Sequence, residues 1–270
     1  MRPRSLPDRM TSLRGFTRNA RRLAAGWRWR AGYVLGTPIP AEYDDALAAT
    51  IKRVRRQTMT SAARIAALVD AVTYVVDEEI EGDLVECGVW KGGSMMAAAM
   101  TLSRLGVADR DLYLFDTFAG MPEPTEEDVS SPYDGYSLHK RWSLHDKSDT
   151  EWVGVPVETV RANVESTGYP AERIKTLVGM VEDTIPSEAP ARIALLRLDT
   201  DWYASTKHEL VELFPRLAVG GILIVDDYGH YEGARKAVDE YFAETGQRVL
   251  LNRIDYTGRI AVKQEQAATA

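Results

Sequence analysis

Cysteine is nearly absent from this 270-residue chain, which contains only Cys87. One cysteine cannot build an intrachain disulfide framework or a cysteine-based zinc cage, and such usage fits a reducing compartment. The sequence also lacks an apolar run of about 18 residues, the length that a membrane-spanning helix needs, and its arginine-rich start lacks the apolar core of a secretory signal. We therefore expect a cytoplasmic protein that has no membrane partner.

Charge is distributed unevenly along the chain. Residues 1–64 carry 14 Lys/Arg and four Asp/Glu, a net charge of +10, so the total of −7 leaves −17 for residues 65–270. We expect a basic arm on such an acidic body to pack on that body or on a neighbouring subunit, which predicts a homo-oligomer (dimer or tetramer). The alternative is that the Arg- and Trp-rich first 30 residues bind nucleic acid or an acidic membrane, but the acidic body disfavours phosphates.

The chain from residue 83 onward alternates short apolar runs with amphipathic stretches, which is typical of βαβ units. The sequence predicts strands at 83–88, 111–116, 173–178, 193–199 and 220–226, helices at 94–104, 156–166, 205–217 and 233–244, and a final hairpin of 248–254 and 259–262. We therefore predict an α/β fold with a seven-stranded sheet, its last strand pair antiparallel, and helices on both faces.

Two regions lie outside this alternation. Residues 41–80 predict two helices, the second capped at Thr60-Ser61 and apolar on one stripe, namely Ile65, Leu68, Val69, Val72 and Val76. We assign residues 1–80 to a basic arm with a helical cap and residues 81–270 to the main domain. Residues 120–155 are rich in Pro, Ser, Asp, Gly and aromatics, and so long a loop predicts a lid over a site, or disorder.

Carboxylates end the predicted strands. They are Glu86, Asp116, Asp199, Asp201, Asp226 and Asp227. Each one alone can be a cap of a helix or turn. Because ligands bind outside the carboxyl ends of parallel strands, and because clustered carboxylates need a cation or a proton, the whole set predicts a site.

The first strand leads into a glycine-rich turn, Val85-Glu-Cys-Gly-Val-Trp-Lys-Gly-Gly-Ser94. Its glycines allow a tight turn, and the following helix offers free amide donors. The pattern is not Gly-x-Gly-x-x-Gly, and Glu86 would repel a pyrophosphate. An acid here suits an ammonium group, such as that of S-adenosylmethionine, better than a dinucleotide. Asp116, at the end of the next strand, is placed to accept a ribose diol.

The aspartates at 199, 201, 226 and 227 end two strands that we expect to be neighbours. Hard oxygen ligands without imidazole or thiolate favour magnesium, calcium or manganese over zinc. The alternative is an acid-rich loop that caps helices.

Six stretches between about residues 58 and 262 resemble the metal-dependent O-methyltransferases typified by macrocin O-methyltransferase. They are Thr58-Met-Thr60, Val85 to Ser94 as written above, Phe115-Asp-Thr-Phe-Ala-Gly-Met-Pro122, Gly179-Met-Val-Glu-Asp-Thr-Ile-Pro186, Leu196-Arg-Leu-Asp-Thr-Asp-Trp-Tyr-Ala-Ser-Thr-Lys207 and Gly220-Gly-Ile-Leu-Ile-Val-Asp-Asp-Tyr-Gly229. The resemblance implies a class I methyltransferase fold with a Rossmann-like sheet, S-adenosyl-L-methionine as donor, Mg²⁺, and a natural-product sugar hydroxyl as acceptor.

The resemblance also implies roles for individual residues. Asp199, Asp226 and Asp227 match metal ligands, and Asp201 matches a general base. The donor-binding candidates are Met59, Thr60, Glu86, Gly88, Gly92, Ser94, Asp116, Thr117 and Asp183, the last beside the adenine. The chain departs from the family at residues 180–182, Met-Val-Glu, where Trp-Phe-Lys is usual. His139, Trp142 and His230 are candidates for contact with the acceptor, although solvated loop histidines are common.

These observations predict an enzyme that moves the methyl group of S-adenosylmethionine to a sugar hydroxyl of a macrolide or similar glycosylated antibiotic. Mg²⁺ would bind the acceptor hydroxyls and Asp201 would take the proton. A catechol-type enzyme acting on a phenolic diol would use the same metal and base. A nucleotide-dependent oxidoreductase would need a pyrophosphate beside Glu86, and a metal-dependent phosphohydrolase would leave the glycine-rich turn unexplained.

Overall fold

The structure, a computed structural model, describes residues 39–128, 138–144 and 154–265. The predicted basic arm up to residue 38 and most of the predicted lid, residues 129–137 and 145–153, lie outside these ranges. The unit that contains the sheet begins at Ile39. Among the described helices, none combines the length and the apolarity that crossing a bilayer requires.

The described elements alternate between helices and strands, as the sequence predicts. In chain order they are α1 (Asp45–Val54), α2 (Ala62–Asp77), β1 (Asp83–Cys87), α3 (Gly93–Arg104), β2 (Leu112–Asp116), α4 (Leu138–Leu144), α5 (Val157–Glu165), β3 (Ile174–Val178), α6 (Val181–Thr184), β4 (Ile193–Leu198), α7 (Tyr203–Leu213), β5 (Leu217–Val225), α8 (Glu232–Thr245), β6 (Asn252–Arg253) and β7 (Arg259–Val262).

The seven strands form one sheet in the order β3-β2-β1-β4-β5-β7-β6. Strands β1 to β5 are parallel, whereas β7 runs antiparallel to both β5 and β6. This confirms the predicted α/β sheet with its antiparallel end. The strand order reverses between β1 and β4, so the topological switch point, where such sheets bind ligands, lies between these two strands.

The two faces of the sheet pack against different helices. Leu84 on β1 belongs to an apolar cluster with α2 and α3, whereas Val85 and Cys87 belong to a second cluster with α7 and α8. Because side chains alternate along a strand, Glu86 points to the α2 and α3 face, on the same side as Leu84.

The two predicted cap helices are confirmed as α1 and α2. Ser61 caps α2, and its side chain accepts a hydrogen bond of 3.2 Å from the amide of Arg64. The predicted apolar stripe is buried except at Val76, which is half-buried, while Val75 is fully buried.

Several predicted boundaries were wrong. The helix predicted at 205–217 begins at Tyr203 and ends at Leu213, and a 3-10 turn (Phe214–Arg216) follows, because Pro215 lacks the amide that would continue the helix. Strand β5 begins at Leu217 rather than at 220, and β6 covers only Asn252–Arg253 instead of 248–254. The predicted lid contains a short helix, α4.

Candidate active site

The switch point brings a buried ion pair to the centre of the site. In the ladder between β1 and β4, Glu86 is the register partner of Arg197, so the two side chains share one face of the sheet. Glu86 is 1% exposed and Arg197 is 3% exposed, and the guanidinium Nη1 pairs with Glu86 Oε1. Burial raises the pKa of Glu86 to about 7, although Arg197 acts in the opposite direction. The other oxygen, Oε2, is buried without a hydrogen bond of normal geometry.

A second arginine reaches the site from the cap helix α2. Arg64 Nη1 pairs with Asp226 Oδ2, and Arg64 Nε lies 3.1 Å from Asp255 Oδ2. The Ser61 hydroxyl donates a hydrogen bond of 2.7 Å to the same oxygen of Asp255. Although burial opposes it, Arg64 together with three hydrogen bonds lowers the pKa of Asp255. The turn before β7 is therefore tied to the end of β5 through α2.

The aspartates that end β4 and β5 converge as the sequence predicts. One carboxylate oxygen from each of Asp199, Asp226 and Asp227 lies within 4.8 Å of the other two. Asp227 is buried, and its Oδ2 has no hydrogen-bond partner in the described part of the chain. Burial raises the pKa of Asp199 and of Asp227 well above the ordinary value, and neighbouring carboxylates raise them further.

This cluster needs a proton or a cation, because adjacent buried carboxylates repel one another. Its donors are all carboxylate oxygens, which suit Mg²⁺, Ca²⁺ or Mn²⁺. The orphaned Asp227 Oδ2 is consistent with this chemistry. Asp226 is already partly neutralised, since its two oxygens face Arg64 and Arg197. The residues therefore fit a hard divalent cation.

Asp201 lies next to this cluster and is held in an unusual backbone conformation. Its φ is 67°, in the left-handed region that non-glycine residues rarely adopt. Burial raises the pKa of Asp201 to about 7, although a hydrogen bond with Asp227 acts in the opposite direction. The turn between β4 and α7 therefore places the Asp201 carboxyl beside the cluster of Asp199, Asp226 and Asp227.

The predicted donor residues of the first loop lie together around Asp116. Asp116 Oδ2 accepts hydrogen bonds from the amides of Val89 (2.8 Å) and Trp90 (3.1 Å), and Oδ1 accepts one from Phe118 (2.7 Å). Asp116 therefore fixes the loop after β1. Thr117 donates a hydrogen bond of 2.6 Å to the carbonyl of Gly120 in the next turn.

Glycine is required at the start of this loop. Gly88 has φ of 78°, and a Cβ built on it would lie 2.1 Å from the carbonyl oxygen of Asp199. Gly92, with φ of 81°, precedes α3, and Ser94 is buried in its first turn. The tight turn that the sequence predicts is therefore present, and the atom that approaches Gly88 is a backbone oxygen at the end of β4.

The other residues predicted to bind the methyl donor differ in whether they contact the Glu86–Arg197 ion pair. Thr60 Oγ1 accepts a hydrogen bond of 2.9 Å from Arg197 Nη2, and Met59 is half-buried beside it. Asp183 is exposed on α6, just beyond β3. No contact with the central residues is described for Asp183.

The residues predicted to contact the acceptor also differ in their surroundings. Trp142 of α4 packs against a small cluster formed by Leu138 and Trp202, which Tyr231 also joins. His230 stacks edge-on with Tyr231, at 4.5 Å between ring centroids, and its Nδ1 lies 3.3 Å from the Tyr256 hydroxyl. His139 is exposed on α4, and nothing described brings it to this cluster. Trp142, Trp202, His230 and Tyr231 therefore form an aromatic wall, which includes the residue that follows Asp201 in the chain.

Sequence reasoning missed the buried Arg197 and Glu209, and also Arg64, whose side chain is 11% exposed. Arg197 carried a usable signal, because it is the only charged residue within the apolar run 193–198. Arg64 and Glu209 lie on helices whose charged positions are ordinarily solvated, so only the packing shows that Glu209 is buried and that the Arg64 side chain is 11% exposed.

Together, the sheet order, the glycine turn after β1 and the carboxylates at the switch point define a protein of the class I methyltransferase fold. Residues 48–262 match the model of the macrocin O-methyltransferase (TylF) family. The chain belongs to this family and is a methyltransferase.

Similar proteins support this assignment. The 8-demethyl-8-(2,3-dimethoxy-alpha-L-rhamnosyl)-tetracenomycin-C 4'-O-methyltransferase of Streptomyces olivaceus is 36% identical over 201 residues, which are 74% of this chain and 73% of that protein. The demethyldecarbamoylnovobiocin O-methyltransferase of Streptomyces niveus is 35% identical over 187 residues, which are 69% and 68% of the two chains. The structure of the O-methyltransferase NovP is similar with a TM-score of 0.68 and 31% identity, covering 87% of this chain and 95% of that one.

Proposed function

We propose that this protein transfers the methyl group of S-adenosylmethionine to a sugar hydroxyl of a glycosylated natural product, with Mg²⁺ and with Asp201 as the base. The observation that carries this proposal is the meeting of Glu86 with the cluster of Asp199, Asp226 and Asp227 at the switch point. Two relatives named for methylation of a rhamnosyl tetracenomycin and of a novobiocin precursor support the class of acceptor.

The donor half of the site consists of the loop after β1 and the residues around it. The Glu86 carboxyl, which Arg197 and the Ser94 side chain contact, is a buried acceptor that suits the ammonium group of the donor. Asp116 holds the loop in place through backbone amides and retains acceptor capacity for a ribose hydroxyl. We keep Asp183 as the residue beside the adenine, because it follows β3 at the same edge of the sheet.

The acceptor half consists of the aspartate cluster and the aromatic wall. Asp199, Asp226 and Asp227 would hold Mg²⁺, which when bound stabilises developing negative charge on an acceptor hydroxyl. Asp201, adjacent to Asp227, takes the hydroxyl proton as the methyl group transfers. The apolar cluster of Trp142, Trp202 and Tyr231 excludes water from this side and offers a surface to the less polar part of the acceptor.

The first test is isothermal titration of S-adenosylmethionine and S-adenosylhomocysteine into the full chain, with NAD as the control. We expect both methionine nucleosides to bind and NAD not to bind, because Glu86 attracts an ammonium and repels a pyrophosphate. Binding of NAD, or of none of the three, would contradict the proposal. An acceptor screen that pairs glycosylated antibiotics with simple catechols then separates a sugar acceptor from a phenolic one.

We also propose that residues 1–80 supply a basic arm and a helical cap to the methyltransferase domain of residues 81–270, and that the basic arm packs in a homo-oligomer. The charge contrast of +10 against −17 supports this. Light scattering of the full chain should give a mass of at least twice 30.1 kDa, and the chain without residues 1–38 should form particles that contain fewer chains. A monomeric full chain would contradict the proposal.

A further inference from the structure

The guanidinium of Arg197 contacts residues from both halves of the proposed site. Its Nη1 pairs with Glu86 Oε1 and lies 2.7 Å from Asp199 Oδ2. Its Nη2 donates to Thr60 Oγ1 at 2.9 Å and lies 2.7 Å from Asp226 Oδ1. Glu86 and Thr60 belong to the donor half, whereas Asp199 and Asp226 belong to the cation half. One buried positive charge is therefore shared between two binding sites.

The single positive charge of Arg197 cannot fully compensate all the carboxylates that it contacts, and this makes the two sites interdependent. Three carboxylates face Arg197, and its side chain is only 3% exposed, so solvent contributes little compensation. Arg64 assists Asp226 and Asp255 but makes no ion pair with Glu86 in the described part of the chain. Any change in the charge of Asp199 or Asp226 must consequently alter how strongly Arg197 compensates Glu86.

We propose that Arg197 is a positioning residue that couples donor binding to cation binding, so that each ligand weakens the affinity for the other. A cation at Asp199 and Asp226 takes over the compensation of these two carboxylates. The charge of Arg197 then acts mainly on Glu86, which attracts the donor ammonium less strongly. This inference rests on the proposed function.

The test is the dissociation constant of S-adenosylhomocysteine, measured by isothermal titration with and without saturating Mg²⁺. A pH of about 8.5, above the pKa of about 7 that Glu86 has in the unliganded wild type, favours its ionised form. We expect Mg²⁺ to weaken S-adenosylhomocysteine binding to the wild type by about fivefold or more. The reciprocal titration, of Mg²⁺ in the absence and in the presence of saturating S-adenosylhomocysteine, should give the same factor, because coupling of equilibrium affinities is symmetric.

Two arginine variants assign this coupling to a residue. Arg197→Lys keeps the charge but lacks the planar fork that contacts four partners, so the factor should fall toward one. Arg64→Lys is the matched control, because Arg64 pairs with the same Asp226 but does not reach Glu86. It should retain the wild-type factor. Thermal unfolding establishes that each variant is folded. If Arg197→Lys does not fold, the wild-type titration still decides whether the two sites are coupled, and the Arg64→Lys titration decides whether Arg64 carries the coupling.

The possible results separate this inference from the proposed function. If both ligands bind and Mg²⁺ leaves the affinity for S-adenosylhomocysteine unchanged, the coupling is overturned and the proposed function stands. A coupling factor that persists in folded Arg197→Lys, or that is lost in Arg64→Lys, also overturns the role of Arg197. If the wild type binds no S-adenosylhomocysteine or no divalent cation, the proposed function itself fails and the inference fails with it.

Discussion

Glu209 is a carboxylic acid buried beneath the active-site turn, and its replacement should change how stability depends on pH. It lies on α7 and is 0% exposed, and neither oxygen has a hydrogen bond of normal geometry. Burial raises the pKa of Glu209 well above its ordinary value. The carboxylates of Glu182 and Asp199 raise it further, while the Thr200 side chain acts in the opposite direction. The folded protein therefore favours the protonated, neutral form.

The perturbation is Glu209→Gln, which keeps the shape and removes the ionisation. Because the folded state holds the proton more tightly, the contribution of Glu209 to stability is complete below its unfolded pKa of about 4.3 and is lost as the pH rises toward the folded pKa. Between the unfolded and the folded pKa, this contribution to the free energy of unfolding of the wild type falls by about 1.4 kcal/mol per pH unit. The glutamine variant has no such pH-dependent contribution. For a domain of this size the difference corresponds to about 3–6 °C in Tm per pH unit.

Thermal unfolding of both proteins, followed by circular dichroism from about pH 5 to about pH 7, measures this difference. The Tm of Glu209→Gln minus the Tm of the wild type should increase as the pH rises. The control is Glu212→Gln on the same helix, where the side chain is only half-buried, and its Tm should remain parallel to that of the wild type. A constant or shrinking gap between Glu209→Gln and the wild type would refute a neutral, buried Glu209.

Three further results follow from the structure. Asp201→Asn should lower kcat by about 10²- to 10⁴-fold while leaving the calorimetric affinity for S-adenosylhomocysteine intact, and a loss of that affinity would contradict its role as base. Gly88→Ala should lower stability by about 2 kcal/mol or more, because its Cβ would lie 2.1 Å from the carbonyl oxygen of Asp199. Gly106→Ala, at a similar positive φ of 75° but with nothing within 4 Å of the added Cβ, controls for backbone strain and should lower stability less. Denaturant titration of both variants measures the difference. The Cys87 thiol, whose pKa burial raises, should not react with a disulfide reagent until guanidinium unfolds the chain, and rapid labelling of the native protein would show that β1 opens.

The sheet and the nature of the site could be read from the sequence because both depend on local patterns. Alternating apolar runs and amphipathic stretches specified the βαβ units, and acids at the ends of β1, β2, β4 and β5 marked the ligand-binding edge. The boundaries were less secure. Strand β6 is shorter than predicted, because the apolar residues from 249 to 251 are compatible with a strand but do not pair with one.

The sequence by itself determined which chemistry was available: hard oxygen donors, a glycine turn that follows an acid, and a match to one family of O-methyltransferases. Only the tertiary structure decided which of these charges share a partner. The register between β1 and β4 sets Glu86 beside Arg197, and the packing of α2 brings Arg64 onto Asp226. Residues 64, 86, 197 and 226 are far apart along the chain. Their pairing follows from strand register and helix packing, which no local pattern encodes, and burial then makes each shared charge matter because water no longer screens it.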